Sequence, residues 1–211
     1  MIPFQKGQKL LFIGDSITDC GRHEDKAHLG DGYVWMVRNF LLARYPELNL
    51  TVVNRGVSGD TTRHLAARWQ RDVIDEQPDW LSVGIGINDV WRAFGGNSRE
   101  AVPLQEYETT LRRLLDWTLR ATPARLILME PYMIEPDRSR SMRREMDSYG
   151  AAVARLAADY DALPVRTQAA FDRVLRYTSP DDWADDQIHP NAPGHMVIAL
   201  EFLRSISAEI G

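Results

Sequence analysis

The stretch Lys9-Leu10-Leu11-Phe12-Ile13-Gly14-Asp15-Ser16-Ile17-Thr18 is a short apolar run that ends in glycine and passes straight into small polar residues. A continuous apolar run of this length, bounded by a turn signal, reads as a strand buried on both faces. The same form returns twice. Leu50 to Val53 leads into Asn54-Arg55-Gly56-Val57-Ser58-Gly59-Asp60, and Trp80 to Val83 leads into Gly84-Ile85-Gly86-Ile87-Asn88-Asp89. Working outward, strands are expected at Lys9 to Gly14, Leu50 to Asn54, Trp80 to Gly84, Arg125 to Met129 and Leu163 to Arg166. Segments of helical period lie between and after them, at Val34 to Tyr45, Thr61 to Glu76, Leu104 to Arg120, Met142 to Tyr160 and Ala192 to Ile210. Strands alternating with helices long enough to cross over predict an α/β fold, a three-layer α/β/α sandwich around a five-stranded parallel sheet, with right-handed crossovers.

Open sheets of this kind place ligands just beyond the C-terminal ends of their strands, and that is where the three polar turns fall. Ser16 offers a hydroxyl nucleophile. Gly59 lets backbone approach a ligand closely and offers its N–H, and the Asn88 amide offers a second donor. Far away in sequence, Asp186-Gln187-Ile188-His189-Pro190 places an acid three positions before a histidine. A serine becomes nucleophilic when a histidine takes its proton, and the histidine works when a third group fixes its tautomer. A turn would bring the Asp186 carboxylate to His189 Nδ1 and leave Nε2 for the serine. Pro190 biases His189 away from helical dihedrals, so the loop reads as an extended corner, with Asn191 as a plausible cap for the last helix.

With these four blocks in this order, the chain resembles the SGNH, or GDSL-type, hydrolases, with isoleucine at 17 where the family's name has leucine. The resemblance implies a flavodoxin-like fold and serine ester hydrolysis without a cofactor or metal. It makes Ser16 the nucleophile, with its N–H in the oxyanion hole beside Gly59 and Asn88, His189 the base and Asp186 its partner. Longer stretches, among them Lys9 to Arg22, Gly84 to Arg92 and His189 to Leu203, are similar to the small bacterial acetylxylan esterases of that family, which implies an acetylated sugar as substrate. The catalytic blocks alone do not separate this from a thioesterase or lysophospholipase. An α/β-hydrolase is disfavoured because Gly-x-Ser-x-Gly is absent and acid and base lie together. A non-catalytic carbohydrate-binding protein on the same fold would require a broken block, and none is broken.

The remaining candidates have plainer readings. His23 and His28 lie in a charged loop, His64 opens a helix and His195 sits early in the last helix, so surface or structural roles suit them. Asp181, Asp182 and Asp185 crowd Asp186 without its spacing. Asp15, Trp91 and Arg92 are the candidate substrate-binding residues, although Asp15 also suits a brace of the turn through backbone hydrogen bonds. The tryptophans at 35, 69, 80, 117 and 183 read as core or interface. Arg138, Arg140, Arg143 and Arg144, interleaved with Glu135, Asp137, Glu145 and Asp147, read as a solvated mixed-charge segment.

At 211 residues the chain suits one domain, 1–211, without linker or internal repeat. The net charge of −5 gives no general affinity for nucleic acid or anionic membrane. No apolar run approaches the ~18 residues of a membrane span. The single cysteine, Cys20, allows no internal disulfide and suits a small buried residue better than a reactive thiol. No His, Cys and carboxylate cluster has metal-ligand spacing. Together these lead to the expectation of a cytoplasmic protein acting on a small-molecule or oligosaccharide acetyl ester. The oligomeric state is open at this level, a homo-oligomer among the outcomes.

Overall fold

The computed structural model describes residues 2–95 and 98–209. The elements run β1 (Lys9–Gly14), α1 (Ser16–Asp19), α2 (Tyr33–Arg44), β2 (Thr51–Gly56), α3 (Thr62–Trp69), β3 (Trp80–Gly84), α4 (Ile87–Phe94), α5 (Leu104–Ala121), β4 (Arg125–Met129), α6 (Ser141–Asp159), β5 (Leu163–Val165), α7 (Thr167–Val174) and α8 (Ala192–Ser205). The five strands form one parallel sheet in the order β2-β1-β3-β4-β5. This is the doubly wound order whose switch point lies between β1 and β3. Helices α2, α7 and α8 pack together over one face and α3, α5 and α6 over the other, which gives the three expected layers.

The core follows from the apolar runs. Leu10, Leu11, Phe12 and Ile13 of β1 are all fully buried, as a central strand covered by helices on both faces requires. Trp69 closes one helical layer, its indole N–H donating to Thr118 Oγ1 (3.0 Å). Trp80 stacks edge-on against Phe4. Among the described residues, no helix is long and apolar enough to cross a membrane.

Several boundaries differ from expectation. Strand β2 continues to Gly56 because Arg55 and Gly56 pair in register with Ile13 and Gly14, and Asn54 turns its side chain inward to donate to the carbonyls of Thr18 and Leu29. The helix expected over Thr61 to Glu76 is α-helical only to Trp69 and then widens into a π turn, Gln70–Ile74. The last helix stops at Ser205, and the expected end at Ile210 lies outside the described residues. The three short helices α1, α4 and α7 were not expected. The arginine-rich segment is not wholly solvated: Arg143 is 1% exposed and its guanidinium bonds Asp172, Asp147 and the Glu135 carbonyl.

Candidate active site

The switch point brings the blocks together. Asp15 caps α1, its carboxylate accepting from Ile17 N–H (3.0 Å), so Ser16 becomes the first residue of a one-turn helix at the mouth of the sheet. The chain passes from β1 into α1 with no room for a side chain on its neighbour: a Cβ on Gly56 would sit 2.2 Å from Asp19 N. Asp15 is deep behind Ser16, 2% exposed. Burial, with the nearby Asp89 and Asp60 carboxylates adding to it, pushes Asp15 up to about 7 despite the Ile17 N–H. It braces the turn and does not line the cavity in front of Ser16.

His189 arrives from the opposite end of the chain. Asp186 Oδ1 accepts from the N–H groups of Ile188 (3.0 Å) and His189 (2.7 Å), while Oδ2 lies 2.6 Å from His189 Nδ1. Burial alone would raise Asp186, but these hydrogen bonds outweigh it and hold the carboxyl below its ordinary value. With Nδ1–H donating to Asp186, Nε2 is left as an acceptor for Ser16 Oγ at 3.1 Å. The corner itself is fixed from outside: Gln187 O accepts from Ile134 N–H, Ile188 O from the Tyr132 hydroxyl, and Asn191 caps α8 through Gly194 N–H.

Gly59 lies in the turn after β2 with φ +84°, a left-handed value that suits glycine. Its N–H and that of Ser16 bond to no acceptor among the described residues, and both residues line one cavity of about 320 Å³. Asn88, in the first turn of α4, lines the same cavity and donates to Asp60 O (3.0 Å), a bond that uses one of its two amide protons. Trp91, one turn on, supplies a wall and meets the His189 ring edge-on with centroids 5.7 Å apart. Arg92 also lines the cavity, but its guanidinium is committed to Gly59 O (2.7 Å) and to Glu100.

The competing residues are accounted for elsewhere. His23, His28 and His64 are exposed, and His64 Nδ1 accepts from Thr61 N–H at the start of α3. His195 is buried, accepts from Tyr33 N–H through Nδ1 and meets Cys20 Sγ through Nε2. Burial pulls it down to about 4. Burial and its bond to Asp31 push the Cys20 thiol up to about 12, the opposite of an activated thiol. Asp182 caps its own turn at Ser179.

Sequence reading missed a bracing set around the Gly59 turn. Ser58 donates through N–H and hydroxyl to Asp19 of α1. Arg68 of α3, 10% exposed at its side chain, bonds Asp60, Asp72 and the carbonyls of Arg55 and Gly14. Half of those acceptors are backbone, so no spacing of residue types announces them. Asp89 accepts from the Thr62 N–H and hydroxyl, tying α4 to α3.

The model of the GDSL-like lipase/acylhydrolase family matches residues 12–197. An acetylxylan esterase of Geobacillus stearothermophilus is 49% identical over an alignment 210 residues long that covers 96% of this chain and 95% of that one. The crystal structure of Axe2, an acetylxylan esterase from the same organism, superimposes with a TM-score of 0.93 at 48% identity, covering 98% of this chain and 97% of that one. Its catalytic mutants replace a serine, an aspartate and a histidine, the aspartate three positions before the histidine. A thioesterase 1/protease 1/lysophospholipase L1 of Escherichia coli is 29% identical over 192 residues, 90% of this chain and 79% of that one. The chain belongs to the GDSL-like lipase/acylhydrolase family.

Proposed function

We propose that the chain is a serine esterase that removes acetyl groups from carbohydrate hydroxyls, with acetylated xylo-oligosaccharides as its substrates. The observation that carries this reading is the continuous relay from Asp186 through His189 to Ser16, ending in a cavity onto which Gly59 and Asn88 also open. Ser16 Oγ attacks the acetyl carbonyl carbon as its proton passes to His189 Nε2. Negative charge on the carbonyl oxygen is met by the N–H groups of Ser16 and Gly59 and by the Asn88 amide. As the C–O bond to the sugar breaks, His189 returns the proton to the departing sugar oxygen. Water then attacks the acetyl-enzyme by the same route, releasing acetate. Asp186 holds the imidazole in the required tautomer and stabilises its charged form.

The cavity lining supports a short acyl group. Among the described residues Trp91 is its one large apolar wall, and the rest is small or polar, with Ser58, Gly59, Asn88, Arg92 and Gly95. A long-acyl thioesterase or lysophospholipase would be better served by an aliphatic channel. Trp91, beside the base that protonates the leaving oxygen, is well placed to meet the sugar ring. The test is kcat/KM across p-nitrophenyl esters from acetyl to octanoyl, together with acetylated xylo-oligosaccharides. Efficiency should not rise beyond acetyl, because a lining of glycines and polar side chains gives added methylenes little apolar surface beyond the Trp91 face, whereas an aliphatic channel would gain about 0.8 kcal/mol per buried methylene. Rising efficiency toward octanoyl would overturn the acetyl reading and leave the serine mechanism standing.

A further inference from the structure

Arg92 lines the cavity, yet its charged group is already spent within the protein. Nη2 donates to Gly59 O at 2.7 Å, Nη1 pairs with Glu100, and Nε is buried without a partner among the described residues. The turn it touches has a particular order. The peptide N–H of Ser58 is fixed by Asp19, and the carbonyl of Gly59 is fixed by Arg92. Between these two pinned peptides lies the one whose N–H belongs to Gly59, and that N–H has no internal acceptor among the described residues. A glycine at φ +84° has wide backbone freedom, so the direction of its N–H depends on what holds its neighbours.

We infer that Arg92 is a positioning residue for the oxyanion site: it holds the Gly59 peptide so that its N–H faces the reacting carbonyl, and it does not bind substrate. Glu100 anchors the guanidinium from the solvent side. This rests on the serine-esterase reading above, since it assigns work to an oxyanion donor.

A merely structural role and a substrate-binding role both predict something different from this one. Arg92→Ala should lower kcat by about 10- to 10²-fold with KM within about twofold, because the loss is felt where charge develops. Affinity for methylboronic acid, whose tetrahedral adduct on the serine oxygen mimics the transition state, should fall by a similar factor. Arg92→Lys, which can still donate to Gly59 O and carries the charge, should recover kcat to within about fivefold of wild type. Arg92→Gln keeps much of the stem and should fold, and it should resemble the alanine variant in kcat. A rise in KM at unchanged kcat, or unchanged boronic-acid affinity, would overturn the inference. Ser16→Ala assayed alongside separates the two claims: activity retained there sinks the serine reading itself, whereas loss there with a pure KM effect at Arg92 sinks only the positioning role.

Discussion

At the residue scale, Asp186 divides its two oxygens between tasks: one organises the turn through two backbone N–H groups, and the other holds the imidazole. Asn88 is divided in the same way, one amide proton on Asp60 O and a second left over in a residue that lines the cavity. Asn88→Ala should therefore lower kcat by about 10²- to 10³-fold with a smaller change in KM. An effect confined to KM, measured by steady-state kinetics on an acetyl ester, would overturn the oxyanion role proposed for Asn88. That Ser16, Gly59, Asn88 and His189 meet at one cavity, with Asp186 behind the imidazole, was legible in the sequence because each sits in a distinctive block just past a strand or at the C-terminal corner. Arg92 was legible only as a neighbour of Asn88. Its partner is a backbone carbonyl, and carbonyls leave no trace in residue identity. Asp15 was open to two readings, and its burial decides for the brace.

At the scale of elements, α1 is a single turn squeezed between strand ends, and its position depends on glycines whose neighbours are backbone atoms. A methyl at position 56 would lie 2.2 Å from Asp19 N and 2.6 Å from Thr18 C, and neither atom can rotate away. Gly56→Ala should push α1 from its seat, costing about 1 to 3 kcal/mol of stability and, through the misplaced Ser16, about 10²-fold in kcat. A wild-type melting midpoint and rate would show that the contact relaxes cheaply. The strands and long helices were readable from apolar runs and helical period. Helices α1, α4 and α7 were not, because four to eight residues hold too little period to register. The buried Arg143 was misread for a related reason: a charge pattern in sequence does not reveal that Asp172, far along the chain, returns to pair with it.

At the scale of the whole molecule, the fold carries opposed ionisations near the site. Folded Asp15 keeps a proton that the unfolded chain releases above 3.8, so its contribution is present below that value and is lost as pH rises toward about 7. His195 runs the other way. The unfolded imidazole takes a proton near 6.5 and the buried one refuses it to about 4, so stability is lost as pH falls across that window. Asp15→Asn preserves an acceptor for Ile17 N–H and removes the first of these ionisations. Its melting midpoint relative to wild type should therefore improve from about pH 5 to about pH 8, and parallel curves would show that Asp15 does not titrate in this range. The sheet order brings β1, β2 and β3 side by side, and the C-terminal corner returns to meet them. That convergence matters only if Ser16 is the nucleophile. The direct test is kcat/KM of Ser16→Ala on an acetylated xylo-oligosaccharide, with the fold checked by its melting midpoint. A fall of about 10⁴-fold or more with an unchanged midpoint is the predicted result, and retention of more than about a tenth of the wild-type value would contradict the account.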